Sequence, residues 1–232
     1  MMHLECSNIT YSYPGTDHKV LDALTCTLSR PGFHSIFGPS GVGKSSFARL
    51  LADLNRHTFL GKIEFTEIQT VLYSYNLERL PGWSSAGAHL DKVVAKEKEA
   101  LKQELINIFE LSPLLGSRFH QLSMGQQNRI NLIRYLLQTF DLLILDESLA
   151  NVDEKLRQAI ILTIKRIFPQ KMFLYISHNL MEVSTFCDEI LVFGGGSTGK
   201  SYGTIQGQNC CSSEAVDRKK VDETMLEIMN AF

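Results

Sequence analysis

Residues 38–45 have the types and spacing of a phosphate-binding loop. The run Gly-Pro-Ser-Gly-Val-Gly-Lys-Ser fits the pattern G-x-x-x-x-G-K-[ST]. In this pattern the glycines let backbone N–H groups close around phosphate oxygens, and the helix that follows presents its N-terminus to the anion. Lys44 is expected to reach the β- and γ-phosphates, and the hydroxyl of Ser45 to coordinate Mg²⁺. The predicted nucleotide contacts are Gly38, Pro39, Ser40, Gly41, Val42, Gly43, Lys44, Ser45 and Ser46.

The same pattern occurs again at residues 194–201. The elements predicted on either side of each match indicate which of the two can bind phosphate. An apolar strand is predicted before each of them. After the first match, residues 44–54 carry apolar side chains at helical spacing, which also disfavours a plain glycine-rich turn. After the second match, the run Tyr-Gly-Thr-Ile-Gln-Gly has no helical face. Without a helix N-terminus the anion cradle is incomplete, so we predict that the second match is a chance occurrence.

Two acidic residues end an apolar stretch later in the chain. Residues 142–145 are all leucine or isoleucine, and Asp146 and Glu147 follow them. Such a run predicts a strand buried on both faces, and ligands of α/β proteins bind at the carboxyl ends of such strands. Asp146 is placed to hold Mg²⁺, directly or through water, and Glu147 to accept the proton of an attacking water. The alternative, a strand end capped by solvated acids, is disfavoured by the phosphate loop upstream.

The elements that position these residues alternate between strands and helices. Residues 4–13 and 20–28 alternate in polarity and predict an antiparallel hairpin. From about residue 79 to residue 138 the apolar side chains fall on helical spacing. Strands then alternate with helices again, which indicates a mostly parallel sheet. The predicted fold class is α/β: a P-loop NTPase core with a mostly parallel sheet, an N-terminal antiparallel β part and an inserted helical subdomain.

These patterns divide the chain into three parts. Residues 1–76 and 139–207 are predicted to form a discontinuous nucleotide-binding core, and residues 77–138 a helical subdomain. The glycine-rich stretch at 194–208 predicts a loop with at most one edge strand. Residues 208–232 form a tail in which residues 213–229 have the pattern of an amphipathic helix.

Composition argues against several classes of protein. The 23 basic and 25 acidic side chains give a net charge of -2, so a nucleic-acid partner is not expected. No apolar run approaches the roughly 18 residues of a membrane span, and the first residues lack the pattern of a signal peptide. We therefore expect a soluble, cytosolic chain. Its five cysteines, without CxxC spacing, are expected to be free thiols.

Residues 122–126, Leu-Ser-Met-Gly-Gln, resemble the LSGGQ signature of the ATP-binding-cassette (ABC) transporter family. The run Gln-Asn-Arg that follows, and the interval to the acidic strand, agree with this family, and the resemblance covers residues 3 to about 207. It implies that ATP and Mg²⁺ bind the chain. It also implies that Ser123, Gly125 and Gln126 form a second anion cradle, which closes on the γ-phosphate held by a second copy or a related cassette.

Three other positions acquire roles from the same resemblance. Tyr13 is similar to the aromatic residue that stacks on adenine, although an ordinary strand aromatic has the same pattern. Residues 150–153 are similar to the D-loop, which communicates across the dimer, and Asp153 can in addition be the N-cap of the next helix. His178, after a predicted core strand, corresponds to the switch histidine that contacts the γ-phosphate; the alternative is a structural histidine.

Three residues depart from the family pattern, and the stretch between Leu54 and Val71 is shorter than usual. Asn76 stands where the family has a glutamine that helps to place Mg²⁺ and the attacking water, and Ser74 takes that role if the register differs. Met124 replaces the first glycine of the signature, and Ser148 stands where a proline usually follows the glutamate. These changes remove neither a phosphate ligand nor the predicted base, so we expect hydrolysis.

The resemblance implies an ATPase subunit that drives transport through a separate membrane-spanning subunit. The chain is then expected to be cytoplasmic and peripheral on the inner face of the cell membrane. A groove near residues 83–89 is expected to receive a helix of that partner. Residues 79–83 are similar to the corresponding run in importers of nitrate, sulfonates, taurine and related solutes. Two alternatives are a non-transport ATP switch and a degenerate cassette that binds ATP with little hydrolysis.

Overall fold

The computed structural model of the chain describes residues 2–76, 78–79, 82–196, 199–212 and 215–231. Its strands are β1 (His3–Ser12), β2 (Lys19–Leu28), β3 (Gly32–Phe37), β4 (Leu60–Thr66), β5 (Val71–Tyr75), β6 (Leu142–Asp146), β7 (Met172–Ile176), β8 (Glu189–Gly196) and β9 (Gly199–Gln206). Its α-helices are α1 (Lys44–Ala52), α2 (Ala86–Asp91), α3 (Glu99–Ile108), α4 (Met124–Leu136), α5 (Glu154–Ile167), α6 (Leu180–Phe186) and α7 (Arg218–Asn230).

The larger sheet has the strand order β5-β6-β7-β3-β8-β9. Neighbouring strands are parallel except for the antiparallel pair β8 and β9. Strands β6 and β7 are buried at every residue, as expected of central strands covered on both faces. Because β3, β5, β6 and β7 run in one direction, the segments that follow them meet at one edge. The phosphate loop, Asn76, the acidic pair and His178 all follow these strands.

A smaller antiparallel sheet, of order β2-β1-β4, contains the predicted hairpin. Helix α1 contributes Phe47, Leu50 and Leu51 to a core shared with residues of this sheet and with β6 and β7. Packing on two sheets at once fixes the direction of α1. The N-terminus of the helix therefore lies at the carboxyl end of β3, where the phosphate loop ends.

Helices α2, α3 and α4 are inserted between β5 and β6. Buried side chains of this insertion, such as Leu105, Ile106 and Phe109, belong to the core that also covers β6 and β7. The predicted fold class is thereby confirmed: an α/β fold with an antiparallel N-terminal sheet and a mostly parallel sheet. Residues 77, 80 and 81 of the predicted helical subdomain lie outside the described residues, and the division into three parts stays a prediction.

The glycine-rich stretch contains the one edge strand that the prediction allowed, β9, and β8 extends into the first three residues of the stretch. Strands β8 and β9 form a hairpin whose register runs from Glu189 opposite Gln206 to Gly196 opposite Gly199. The hairpin is stabilised by a side-chain contact between the rings of Phe193 and Tyr202, 5.1 Å apart. A strand, not a helix, thus follows the second phosphate-loop pattern, which supports its interpretation as a chance match. Residues 197 and 198 of that pattern lie outside the described residues.

The C-terminal helix α7 is shorter than predicted. It begins after Asp217, whose carboxylate accepts the N–H groups of Lys219 and Lys220 as an N-cap. Residues 213 and 214, where the prediction began, lie outside the described residues. Helix α7 buries Val221, Thr224 and Ile228. Among the described residues, none of the helices combines the length and the apolar character that a bilayer span requires.

Candidate functional site

The predicted phosphate loop lies between β3 and α1. Gly43 is the residue before the helix and has a φ of 114°, in the region that favours glycine. A Cβ atom there would also lie 2.8 Å from the carbonyl oxygen of Val20 in β2. Only glycine therefore lets the loop turn into the helix while it lies against the smaller sheet. The first N–H groups of α1 are thereby directed toward the mouth of the loop.

Lys44 is buried at the base of the loop, with 7% of the residue exposed. Its Nζ donates to the carbonyl oxygens of Gly38 and Pro39, both at 2.7 Å. Two of the three ammonium donors are used in this way, which leaves one for a phosphate oxygen. Burial lowers the pKa of Lys44 below its ordinary value, and the carboxylates of Glu147 and Asp146 partly offset that change. The ammonium thus faces both the loop and the acidic pair.

A cavity of about 250 Å³ opens beside the loop. It is lined by residues of the loop, by Glu147 directly after β6 and by His178 shortly after β7. The lining residues are Ser40, Gly41, Gly43, Lys44, Ser45, Ser46, Glu147 and His178. Separate parts of the sequence that were predicted to act on phosphates therefore line one cavity.

Glu147 and His178 are in direct contact. The Nε2 atom of His178 lies 2.8 Å from Oε1 of Glu147. Glu147 has a φ of 53°, a left-handed conformation that is uncommon for a residue with a side chain, and its N–H donates to the carbonyl of Ile176. Backbone strain of this kind is concentrated at functional sites. No local pattern of residues indicated this conformation.

Asp146 is buried next to Glu147, with 7% of the residue exposed. Its Oδ2 accepts a hydrogen bond of 2.7 Å from the hydroxyl of Tyr73 on the neighbouring strand β5. Burial and this carboxylate raise the pKa of Tyr73, so the phenol stays a donor. The sequence reasoning did not identify Tyr73. A buried tyrosine hydroxyl usually has a hydrogen-bond partner. A tyrosine in an apolar strand could therefore have indicated a polar group nearby.

The residues present fit a magnesium ion. Asp146 and Ser45 provide a carboxylate and a hydroxyl, which are the hard oxygen donors that Mg²⁺ prefers. Magnesium commonly keeps several waters and is completed by the phosphates of its substrate. A small protein contribution is therefore sufficient. The described part of the chain contains no group of three or more His, Cys, Asp or Glu side chains that could hold a metal by itself.

Asn76 follows β5 directly, at the same edge as the acidic pair. Its N–H donates to the carbonyl of Asp146 at 3.0 Å, and its Oδ1 accepts from Nδ2 of Asn128 in α4 at 3.0 Å. Ser74, the alternative for this role, is buried inside the strand and accepts a hydrogen bond from Ser148 at 3.0 Å. The side chain that leaves the strand end is therefore that of Asn76. The hydroxyl of Ser148 thus connects the segment after β6 to β5 by a hydrogen bond.

The residues of the signature lie at the N-terminus of α4 and away from the cavity. Ser123 is the N-cap, its Oγ accepts from the N–H of Gln126, and the Gln126 side chain accepts from the N–H of Ser123. This reciprocal capping box fixes the first turn of the helix. Within the described residues, neither Ser123, Gly125 nor Gln126 lines the cavity of the phosphate loop. One chain by itself does not bring its two predicted anion cradles together.

Gly125 is one point at which α4 contacts the predicted D-loop. A Cβ atom at this position would lie 2.1 Å from the carbonyl oxygen of Asn151, far inside contact distance. Asn151 itself has a φ of 62°, which asparagine tolerates better than most residues. Asp153 caps α5 by accepting from the N–H of Leu156 at 3.0 Å, so the N-cap role predicted for it is present.

Gly125→Ala is expected to lower the melting temperature by several degrees, because α4 and the Asn151 carbonyl must separate. Overpacking of this type costs about 1–3 kcal/mol. Thermal unfolding followed by circular dichroism measures the change. Gly116→Ala is the matched control, since nothing lies within 4 Å of a Cβ at that glycine. Equal melting temperatures for the two variants would contradict the predicted clash.

Tyr13 lies on the rim of the site, with 40% of the residue exposed. Its hydroxyl is 2.8 Å from Oγ of Ser46 in α1, and its ring contacts that of Tyr11 edge to face at 5.3 Å. A ring that is held at two points while much of its surface is exposed is suited to stacking on a base. This geometry agrees with the predicted adenine contact.

Tyr13→Ala is expected to raise the KM for ATP about tenfold with little change in kcat, since stacking of one base on one ring contributes about 1–3 kcal/mol. Steady-state kinetics with ATP and GTP measure the effect. Tyr13→Phe keeps the ring and loses only the hydroxyl contact to Ser46, so its KM should stay close to that of the unchanged chain. A phenylalanine variant as weak as the alanine variant would assign the effect to the hydroxyl instead.

A buried ion pair behind the cavity was also missed by sequence reasoning. Glu182 is 4% exposed and accepts hydrogen bonds from Tyr175 at 2.7 Å and Ser177 at 3.2 Å. Arg157 contacts its other oxygen and donates to the carbonyl of Val152 at 3.1 Å. The pair therefore connects the segment before His178 to the predicted D-loop. The partners lie 25 residues apart in sequence, so periodicity offered no signal for their contact.

Comparison with known proteins gives the family. The sequence pattern of the ABC transporter family matches residues 21–150, which is more than half of the 232 residues. The chain is 30% identical over 213 residues to the sn-glycerol-3-phosphate import ATP-binding protein UgpC of Chromobacterium violaceum, covering 84% of this chain and 57% of that protein. It is 31% identical over 206 residues to the spermidine/putrescine import ATP-binding protein PotA of Ruegeria pomeroyi, covering 80% and 55%. The chain spans little more than half the length of these relatives.

Solved structures share the fold. A bacterial Atm1-family ABC exporter with ATP bound matches with a TM-score of 0.71 at 20% identity, over 82% of this chain and 36% of that one. The dimeric ATP-binding cassette MJ0796 in a post-hydrolysis state with ADP and Pi matches with a TM-score of 0.67 at 21% identity, over 82% and 93%. The family pattern spans the phosphate loop, the signature and the acidic pair. The chain therefore belongs to the ABC transporter family.

Proposed function

We propose that the chain binds and hydrolyses ATP and that this hydrolysis drives transport through a separate membrane-spanning subunit. The observation that carries the proposal is the composition of the cavity wall. Lys44 and Ser45 line the same cavity as Glu147 and His178, and the last two are in contact at 2.8 Å. A loop that binds phosphates thus faces a carboxylate able to take a proton.

In the proposed reaction the phosphate chain of ATP lies in the loop, with Lys44 on the β- and γ-phosphates. Ser45, Asp146 and Asn76 would hold Mg²⁺, which would neutralise charge on the phosphate oxygens. Glu147 accepts the proton of the water that attacks the γ-phosphorus, and the bond to the bridging oxygen of ADP breaks. His178 contacts the γ-phosphate and holds Glu147 by their hydrogen bond.

The proposed active form is a two-fold dimer of this chain or of this chain with a related cassette. Its support is that Ser123, Gly125 and Gln126 lie outside the cavity of their own chain. The N-terminus of α4 offers a second set of N–H donors with the polarity that suits an anion. A partner's γ-phosphate would occupy it, so that ATP joins the two chains and Asp153 lies near their interface.

We propose import as the direction of transport. The support comes from three relatives named as import ATP-binding proteins, for sn-glycerol-3-phosphate, spermidine/putrescine and molybdenum. The run at residues 79–83 supports a narrower proposal, the branch that handles nitrate, sulfonates and taurine, although the named relatives carry other solutes. Residues 80 and 81 of this run lie outside the described residues. The site of action would be the inner face of the cell membrane, where the partner binds near Trp83, which is 78% exposed.

Steady-state ATPase activity of the purified chain, with Mg²⁺ and with a chelator in its place, tests the hydrolytic part of the proposal. Phosphate release that requires Mg²⁺ is expected. Affinity purification from a detergent extract of membranes tests the transport part, and an integral membrane protein is expected to co-purify. ATP binding without phosphate release, even with that partner, would favour a degenerate cassette, a candidate that the departures from the family pattern at Asn76 and Met124 support. Hydrolysis without a membrane partner would favour a non-transport switch.

A further inference from the structure

Asn128, in the second turn of α4, contacts two loops of the site at once. It is 2% exposed, and its Nδ2 donates to Oδ1 of Asn76 at 3.0 Å and to the carbonyl of Ala150 at 3.1 Å. Asparagine is a poor helix former, and a buried amide is costly unless it is hydrogen-bonded. Here both hydrogens of the amide group are donated, which offsets that cost.

The direction of these hydrogen bonds follows from chemistry. The carbonyl of Ala150 can only accept, so the atom of Asn128 that faces it must be the amide nitrogen. The same nitrogen faces Asn76, so the atom of Asn76 that it meets must be the oxygen. Asn128 therefore decides where the Oδ1 of Asn76 lies, and this oxygen is the atom able to bind a metal.

The contact with Ala150 leads to the predicted base. The N–H of Ala150 donates to the carbonyl of Glu147 at 2.9 Å, so the two residues belong to one turn. Gly125 lies one turn earlier in α4, against the carbonyl of Asn151. Helix α4 thus holds the segment after Glu147 at two successive carbonyls, with a steric contact at one and a hydrogen bond at the other.

We propose that Asn128 is a positioning residue for hydrolysis, which fixes the amide oxygen of Asn76 and the turn that begins at Glu147 relative to the signature helix. This inference rests on the proposed ATPase function and names a residue that acts through two others. A shift of α4 relative to the sheet would move both loops together. The amide oxygen of Asn76 and the carboxylate of Glu147 would then both change position when the signature helix moves.

Asn128→Ala removes both donors while the phosphate loop stays unchanged. We expect kcat to fall by roughly ten- to a hundredfold, because two buried hydrogen bonds are lost. The KM for ATP should change less than about threefold. The Mg²⁺ concentration that gives half-maximal activity should rise, since the Oδ1 of Asn76 is released. Asn128→Asp keeps the shape without the donors and should behave like the alanine variant, whereas Asn128→Gln keeps the donors and should retain more activity.

Asn131→Ala is the matched control. Asn131 lies in the same helix, is 1% exposed, and donates through Nδ2 to the carbonyl of Glu78 at 2.8 Å, so its loss affects stability without reaching Asn76 or Ala150. Its kcat and Mg²⁺ requirement should stay close to those of the unchanged chain. Equal changes in both alanine variants, or an aspartate variant with full activity, would overturn the inference.

Hydrogen–deuterium exchange separates this inference from the proposed function. In Asn128→Ala, peptides that cover residues 147–153 should exchange faster than in Asn131→Ala, whether or not the chain hydrolyses ATP. Unchanged exchange in these peptides would overturn the positioning role. An unchanged chain that binds ATP without hydrolysis, together with faster exchange in Asn128→Ala, would refute the proposed hydrolysis and leave the coupling of the two loops in place.

Discussion

Glu147→Gln is expected to abolish ATP hydrolysis while ATP binding persists. The substitution keeps the length of the side chain and leaves an amide oxygen or nitrogen able to meet His178 Nε2, which lies 2.8 Å away in the present structure. It removes the carboxylate that takes the proton of the attacking water. Loss of a general base of this kind lowers the rate by about 10²–10⁴-fold. Phosphate release in the steady state measures the loss, and isothermal titration with ATP measures the binding.

The same substitution should favour the dimer. If hydrolysis opens two chains that ATP has closed, a chain that binds ATP without turnover accumulates in the closed form. Size-exclusion chromatography with ATP and Mg²⁺ should then give a dimer for Glu147→Gln and less of it for the unchanged chain. Hydrolysis at the unchanged rate would exclude Glu147 as the base, and a monomer with bound ATP would argue against the two-fold arrangement.

A matched control for this result is Glu154→Gln. Glu154 lies in the first turn of α5 and is exposed, with its Oε1 in contact with Gln158 at 3.1 Å. It bears the same charge close to the same segment, yet it does not line the cavity. Its loss should leave phosphate release within about twofold, in the range of ordinary surface substitutions. An equal fall in both variants would indicate a general effect of charge rather than proton transfer.

The edge of the sheet at which the site lies could be predicted from the sequence. Four consecutive apolar residues before Asp146 predict a strand buried on both faces. The phosphate loop marks the carboxyl end of another strand, and ligands of α/β proteins bind at such ends. Topology then brings the ends of parallel strands together without any knowledge of side-chain packing. Glu147 and His178, which are 31 residues apart in sequence, meet for this reason.

The contacts that adjust the site could not be predicted in the same way. Tyr73, Asn128 and Arg157 reach their partners through the register of β5 against β6 and through the angle at which α4 and α5 pack. Neither quantity is contained in a local pattern of residues. The edge strand β9 was allowed by the prediction, but its pairing with β8 was not predicted, because three consecutive glycines predict a loop and it is the neighbouring strand that supplies the hydrogen bonds.

Lys44→Met is expected to reduce ATP affinity by on the order of a hundredfold, because loss of a buried, charge-assisted contact costs about 2–5 kcal/mol. Methionine keeps the unbranched, flexible character of the stem and removes the charge. The ammonium is already buried, with 7% of the residue exposed, and this burial lowers its pKa. Little further cost of burial therefore opposes its contact with a phosphate. Binding of ATP, followed by titration calorimetry, measures the loss.

Lys98→Met distinguishes the loss of a phosphate ligand from the loss of a lysine that organises a loop. The Nζ of Lys98 donates to the carbonyls of Leu137 and Gln138, both at 2.8 Å, and burial lowers its pKa as it does for Lys44. The two lysines thus make the same kind of contact, but Lys98 lies outside the cavity. Its substitution should leave ATP affinity unchanged even if the melting temperature falls. Because the backbone contacts are alike in both, a difference in ATP affinity between the two variants is attributable to the phosphates, and equal affinities would mean that the Lys44 ammonium serves the loop alone.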